Sequence, residues 1–128
     1  MRATSQAAAG EEQDQAPLDI AAMRATVRRL LGPDDAPDAL PPSADEADTL
    51  TLTLRGHLEL IIPEVEKAAG PKLSSVQSYC AMACVGEARR KLAVTPTPGL
   101  DARVALARRL ARSLNALCGH YDTLSGSV

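Results

Sequence analysis

The sequence predicts an all-α fold, a small antiparallel bundle of about four helices with a disordered N-terminal tail. Three observations support this prediction. Apolar residues recur every three or four positions in four segments of the 128-residue chain. Gly-Pro or Pro-rich stretches separate these segments. Phe and Trp are absent, so the core must come from Leu, Ile, Val, Ala, Met and Cys, a composition that suits helices.

The N-terminal third of the chain predicts a tail, one helix and a linker. Residues 1–17 are small, polar and unpatterned, which is typical of disorder. Asp19 is placed to cap the first helix, and Gly32–Pro33 is placed to stop it. The Pro- and Asp-rich stretch that follows predicts an extended linker. We therefore divide the chain into the tail, a segment of first helix and linker over 18–48, and a helical core over 49–128.

The second helix begins with a capping-box pattern, Ser43 followed three residues later by Glu46. Its helical spacing continues through Val65, and Gly70–Pro71 ends it. The run TLTLTL within it also alternates as a strand would, but the longer helical spacing favours a helix. Pro63 removes a backbone hydrogen bond inside this helix, which predicts a kink.

Two further helices complete the predicted bundle. The third begins at Ser74 or Ser75 and runs to about Ala93, and the fourth runs from about Leu100 to about Leu124. The apolar side predicted for the third consists of Val76, Cys80, Ala83, Cys84, Ala88 and Leu92. The apolar side predicted for the fourth consists of Leu100, Val104, Ala107, Leu110, Ala111, Leu114, Leu117, Cys118 and Tyr121. Short connections make the second, third and fourth helices antiparallel, with the first packed across them.

Charge and hydropathy argue against several classes of protein. Residues 1–48 carry 4 basic and 10 acidic side chains, whereas residues 49–128 carry 10 basic and 6 acidic ones. The Arg pairs have no aromatic residues between them, which disfavours nucleic-acid binding. No apolar run reaches the ~18–20 residues that a bilayer requires. The N-terminus lacks the apolar core of a secretory signal, so we expect a cytoplasmic protein with reduced thiols.

The three cysteines allow two interpretations. Cys80 and Cys84 lie one helical turn apart, and reflecting the third helix onto the fourth brings Cys118 within about 10 Å of Cys80. A metal or redox site of two or three thiolates is therefore conceivable. The spacing lacks the tight Cys-x2-Cys knuckle, however, and free cysteines commonly pack as small apolar residues. We favour the core interpretation.

A polar cluster is the candidate ligand site. Reflecting the second helix onto the third places His57 level with Glu87, with Arg55 and Arg89 nearby. A close approach of the two backbones or a small recess could explain Gly56 and Gly86, one on each helix. The alternative is that His57 and Glu87 lie in water at the helix edges, with the two glycines merely tolerated. If they do meet, the pair could bind a ligand or transfer a proton.

Three phrases carry a resemblance to a known family. They are RGHL at Arg55–Leu58, CVGEAR at Cys84–Arg89 and LNALC at Leu114–Cys118. The sequence resembles, over roughly Leu50 to Leu124, a family of small streptomycete proteins labelled as natural-product biosynthesis proteins. This resemblance implies a cytoplasmic accessory role in actinobacterial specialised metabolism, without naming a substrate or a catalytic residue.

The functional prediction is a non-catalytic accessory or regulatory helical protein that acts through a protein partner or a small molecule. Gly-rich phosphate loops, a Ser-His-Asp arrangement and a His-x-x-x-His pair are all absent from the sequence, and no cofactor is predicted. A homodimer is left open. The alternative is a small metal-dependent or acid–base enzyme built on His57, Glu87, Cys80, Cys84 and Cys118.

Overall fold

The computed structural model describes residues 18–32, 40–70 and 75–125. These ranges form four helices and contain no strand: α1 (Ile20–Leu31), α2 (Ala44–Ala69), α3 (Val76–Leu92) and α4 (Leu100–Leu124). The all-α prediction is confirmed, and the TLTLTL run lies within the continuous helix α2. The tail predicted over residues 1–17 and most of the predicted linker lie outside the described residues.

The predicted helix boundaries are confirmed by the capping contacts. The side chains of Asp19, Ser43 and Ser75 each accept a hydrogen bond from a backbone N–H in the first turn of their helix. Gly32 and Gly70 end α1 and α2 with φ angles of 79° and 85°. Glycine suits these two positions because a side chain is disfavoured at positive φ.

Helix α4 lies at the centre of the bundle. It packs against each of the other three helices, most extensively against α2, whereas α1 and α3 do not touch within the described residues. Its buried stripe is therefore wider than the sequence pattern predicted, and it includes Leu106 and Ser113. Lys91 of α3 satisfies the Ser113 hydroxyl with a hydrogen bond of 2.9 Å.

The core confirms most of the apolar positions predicted for α4. Side chains that are fully buried and large are Met23, Leu30, Leu54, Leu58, Ile61, Val65, Val85, Leu110, Leu114, Leu117 and Cys118. Two of the predicted positions differ from this pattern: Leu100 is exposed at the start of α4, and Tyr121 is only partly buried. Because α1 contributes to the same core, it is an integral part of the bundle. None of the described helices is both long and apolar enough to cross a membrane.

The buried side predicted for α3 is wrong in its first half, whereas Ala88 is buried as predicted and Cys84 and Leu92 pack, partly buried, against the core. Val76, Cys80 and Ala83 are exposed, and the buried positions are Ser78, Ala81, Val85 and Ala88. The first three turns of α3 carry apolar residues on every side, most of them small. Their spacing therefore does not indicate which side is buried. A hydrogen bond from the Ser78 hydroxyl to the Ala69 carbonyl oxygen at 3.3 Å accompanies the rotation that is observed.

No close helix approach explains the two glycines, which agrees with the alternative that they are merely tolerated. A methyl group added at Gly56 would meet nothing within 4 Å, and one added at Gly86 would meet only the Arg90 guanidinium at 3.7 Å. Gly56 therefore faces open space, and Gly86 faces a side chain of its own helix. The kink predicted at Pro63, which lies on the exposed side of α2, stays a prediction.

Candidate functional site

His57 lies between α2 and α1. Its Nε2 is 3.4 Å from the Thr26 hydroxyl oxygen, and that hydroxyl donates to the Ala22 carbonyl oxygen at 3.2 Å. The Thr26 oxygen is therefore free to accept a hydrogen bond from a protonated Nε2 of the neutral ring. Burial lowers the pKa of His57, and the nearby Asp19 carboxylate partly opposes this shift.

Glu87 is not brought to His57. Its side chain is exposed on α3, and α3 does not contact the α1 helix that His57 faces among the described residues. The acidic group whose charge acts on His57 is Asp19. The polar pair expected in the middle of the bundle is absent from the described residues, so the proton transfer envisaged between His57 and Glu87 has no geometric support.

The two arginines of the candidate site instead join α2 to α3. Arg55 donates hydrogen bonds to the carbonyl oxygens of Leu92 and Val94, at 2.7 Å and 3.3 Å. A cation at this position satisfies the carbonyl groups at the C-terminal end of α3 and complements its dipole. Arg89 forms an ion pair of 2.8 Å with Glu66, which raises the pKa of Arg89.

The three cysteines differ in their surroundings. Cys80 is exposed, Cys84 is half-buried against the core and Cys118 is buried. Burial raises the pKa of Cys118 to about 11 and also raises the pKa of Cys84, where the Glu87 charge adds to the effect. The core prediction is thus confirmed for Cys118 and wrong for Cys80.

A metal centre built from these thiols finds no geometric support. Within the described ranges, no group of three or more His, Cys, Asp or Glu side chains is placed to hold one metal ion. The raised pKa values of Cys84 and Cys118 also disfavour the thiolate form that binds a metal or attacks a substrate.

Ion pairs between helices were not among the predictions made from the sequence. Arg24 pairs with Asp122 at 2.8 Å and joins α1 to α4. Arg29 donates to both carboxylate oxygens of Glu46, at 2.7 Å and 2.6 Å, and joins α1 to α2. This contact lowers the pKa of Glu46, as does the Ser43 backbone N–H, the partner expected in a capping box.

The comparison with known families identifies the domain. A model described as a family of unknown function (DUF6415) matches residues 21–126. The chain belongs to the DUF6415 family. No curated protein matches the chain, and no solved structure matches it. Because the match begins in α1, the family domain is longer than the segment over which the resemblance was recognised, and it includes all four helices.

One end of the DUF6415 bundle brings α2 and α4 together. Arg103 of α4 donates to both carboxylate oxygens of Asp48 on α2, at 3.1 Å and 2.6 Å. Leu52 lies one turn after Asp48, and Leu100 lies one turn before Arg103. Both leucines therefore lie close to the point where the two helices are tied.

The α3–α4 connection reaches the same end. Val94 accepts a hydrogen bond from Arg55, which lies one turn after Leu52 on α2. Leu52, Val94 and Leu100 are 71%, 42% and 43% exposed. We name these three residues the bundle-end surface. A second feature, an open recess of about 500 Å³ beside Pro63, is shallow and carries no convergent set of buried polar groups.

Proposed function

We propose that this DUF6415 protein is a non-catalytic accessory or regulatory protein of actinobacterial natural-product biosynthesis. It works in the cytoplasm and acts by binding a protein partner. The assignment to specialised metabolism rests on the resemblance carried by the RGHL, CVGEAR and LNALC phrases. The mode of action rests on the arrangement of side chains in the bundle.

The polar side chains that could have formed a reaction site support a structural role instead. Arg55 and Arg89 bind groups of neighbouring elements, and His57 packs beside Thr26. A catalytic site requires several such groups to converge on one substrate. The described residues provide no convergence of this kind, which favours binding over chemistry.

The bundle-end surface is the observation that carries the proposal. Its three aliphatic side chains are exposed. The hydrogen bond from Arg55 to Val94 and the ion pair of Arg103 with Asp48 tie together the elements that carry them. Exposed apolar groups that cluster within a polar rim are typical of protein-binding sites. Arg55, Arg103 and Asp48 provide polar groups around them, as expected for the rim of such a site.

The test uses the purified full-length chain and the purified enzymes encoded beside its gene. Binding is measured by calorimetry, and the turnover of each enzyme is measured with and without the chain. We expect at least one enzyme to bind. Leu52→Asp should weaken this binding at least tenfold, because it places a charge in the apolar contact.

Leu60→Asp is the matched control, since Leu60 is also exposed on α2 but lies two turns away from Leu52. It should bind as the wild-type chain does. If none of the enzymes binds, or if the chain alone converts a metabolite of the pathway, the accessory function is wrong. Equal losses in both variants would remove the bundle-end surface as the binding site.

A further inference from the structure

Helix α3 has a second apolar stripe that nothing within the described residues covers. The stripe begins with Val76, Tyr79, Cys80 and Ala83, all exposed, and Val76 and Tyr79 are 75% and 61% exposed. Glu87 and Arg90 continue the same side of the helix and are exposed as well. These six residues share one face because their spacings follow the helical repeat. We name them the α3 outer face.

The opposite side of α3 is buried in the bundle. Ser78, Ala81, Val85 and Ala88 are buried against α2 and α4. A helix with one apolar stripe satisfied in the core and another exposed is suited to pack against a further helix.

The positions along the outer face are spaced symmetrically about Ala83, with apolar residues before it and charged residues after it. Tyr79 lies four positions before Ala83 and Glu87 lies four positions after it. Val76 lies seven positions before and Arg90 seven positions after. We propose that the α3 outer face packs against the same face of a second copy of this chain. The two α3 helices run antiparallel, with a twofold axis at Ala83.

A twofold interface requires a surface that complements itself, and this arrangement meets that requirement. Tyr79 lies opposite the partner's Glu87, so its phenol can donate to that carboxylate. Val76 lies opposite the partner's Arg90, whose aliphatic stem can cover it. Each contact occurs twice because of the symmetry.

Small residues allow the two helices to approach. Ala83 lies at the axis, and Cys80 lies opposite the partner's Gly86. Apart from the Arg90 guanidinium at 3.7 Å, nothing lies within 4 Å of the position a Cβ would take at Gly86, so there is room for the facing thiol. A parallel arrangement would instead set Glu87 against Glu87 and Arg90 against Arg90, which repulsion disfavours.

The size of the face sets the strength of the dimer. From Val76 to Arg90 the helix is about 21 Å long, so one helix packs on one helix. A stable interface buries about 800 Å² from each partner, which is more than a single helix face of this length supplies. We therefore expect a weak dimer whose population depends on protein concentration.

The inference rests on the proposed function only in treating the chain as one that works through protein contacts. It uses a different surface from the bundle-end surface. A chain that stays monomeric would overturn the dimer and leave binding to the pathway enzymes intact. Failure of that binding would leave the dimer intact.

The first test is sedimentation velocity of the full chain from about 5 μM to about 500 μM, a range that spans weak association. We expect the dimer fraction to rise over this range. Tyr79→Glu should weaken association at least tenfold, because it places two carboxylates opposite each other twice per dimer. Adding Glu87→Lys to that variant should restore association. Leu60→Glu, at a similarly exposed residue of α2 (60%), is the control and should dimerise as the wild type does.

The second test locates the axis. Ala83→Cys, in a chain that also carries Cys80→Ser, should form a disulfide between copies under mild oxidation. Ala105→Cys, at an exposed position of α4, should not. A monomer at every concentration overturns the proposal, as does a dimer that Tyr79→Glu does not weaken. A dimer that forms no disulfide at Ala83→Cys overturns the register.

Discussion

The Ser78 hydroxyl of α3 donates a hydrogen bond to the carbonyl oxygen of Ala69, the last residue of α2, at 3.3 Å. Ser78 is buried, and its backbone N–H donates to the Ser75 hydroxyl that caps α3. The same residue therefore takes part in starting the helix and in attaching it to its neighbour. This contact attaches the first turn of α3 to the end of α2, on the side of α3 where Ala81, Val85 and Ala88 are also buried.

Replacing Ser78 should destabilise the bundle. Ser78→Ala removes the donor to a carbonyl group at a buried position, and we expect a loss of about 1–2 kcal/mol in the free energy of unfolding. Urea denaturation measures this loss. The neighbouring Gln77 is exposed, so Gln77→Ala should change stability by less than about 0.5 kcal/mol. Equal effects of the two substitutions would contradict the role of the Ser78 hydroxyl.

The rotation of α3 illustrates what the sequence could not predict. Helix ends were predictable because a capping residue contacts only the terminal turn of its own helix, so its position in the sequence decides the contact. The capping residues are Asp19, Ser43, Ser75 and Gly70. The buried side of α3 depends on a partner nine residues away, the carbonyl group of Ala69. A buried serine also looks like a surface residue in a hydropathy pattern.

The sequence could not decide whether His57 and Glu87 meet, for a related reason. Residue spacing can place His57 level with Glu87, but it does not give the direction in which each side chain points around its helix. His57 faces α1, and nothing in the spacing of α2 indicates that α1 packs against that side. Likewise, the ion pair of Arg29 with Glu46 depends on how α1 and α2 pack, which neither helix encodes alone.

Gly56 offers a stabilising substitution. It lies inside α2 with nothing within 4 Å of an added methyl group, so Gly56→Ala should gain about 0.5–1 kcal/mol through lower flexibility of the unfolded chain. The contrasting control is Gly99, whose φ of 113° at the start of α4 strains any side chain. Gly99→Ala should lose stability. Thermal unfolding compares the two, and a loss at Gly56 would indicate a contact on that face.

The neutral ring of His57 should make stability depend on pH. Because burial lowers its pKa in the folded chain, the unfolded chain binds more protons once the pH falls to the ordinary value of 6.5. Stability is then lost as the pH falls through 6.5 towards the lower folded value. His57→Gln lacks the titrating ring, so its free energy of unfolding does not carry this loss. The free energy of unfolding of the wild type, minus that of the variant, should therefore decrease from about pH 8 to about pH 5.5. A difference that stays constant over this range would contradict the lowered pKa of His57.

The cysteines should react in the order of their exposure. Cys80 is exposed, Cys84 is half-buried with a raised pKa, and Cys118 is buried with a pKa of about 11. Because the thiolate is the reactive form, a disulfide reagent at pH 8 should modify Cys80 first and Cys118 only on unfolding. Cys80→Ala should abolish the fastest phase. If that phase survives, another thiol is accessible in the folded chain.

Substitutions at Cys118 and Cys80 should separate a core role from a surface position. Cys118 is fully buried, so Cys118→Ala leaves a small cavity and should cost about 1 kcal/mol. Cys118→Ser should cost at least about 1 kcal/mol more, because a hydroxyl is less favourable than a thiol in an apolar site. Both substitutions at the exposed Cys80 should stay within about 0.5 kcal/mol of wild type. Denaturant unfolding under reducing conditions measures all four variants. Equal losses for Ala and Ser at Cys118 would mean that the thiol performs a task other than packing.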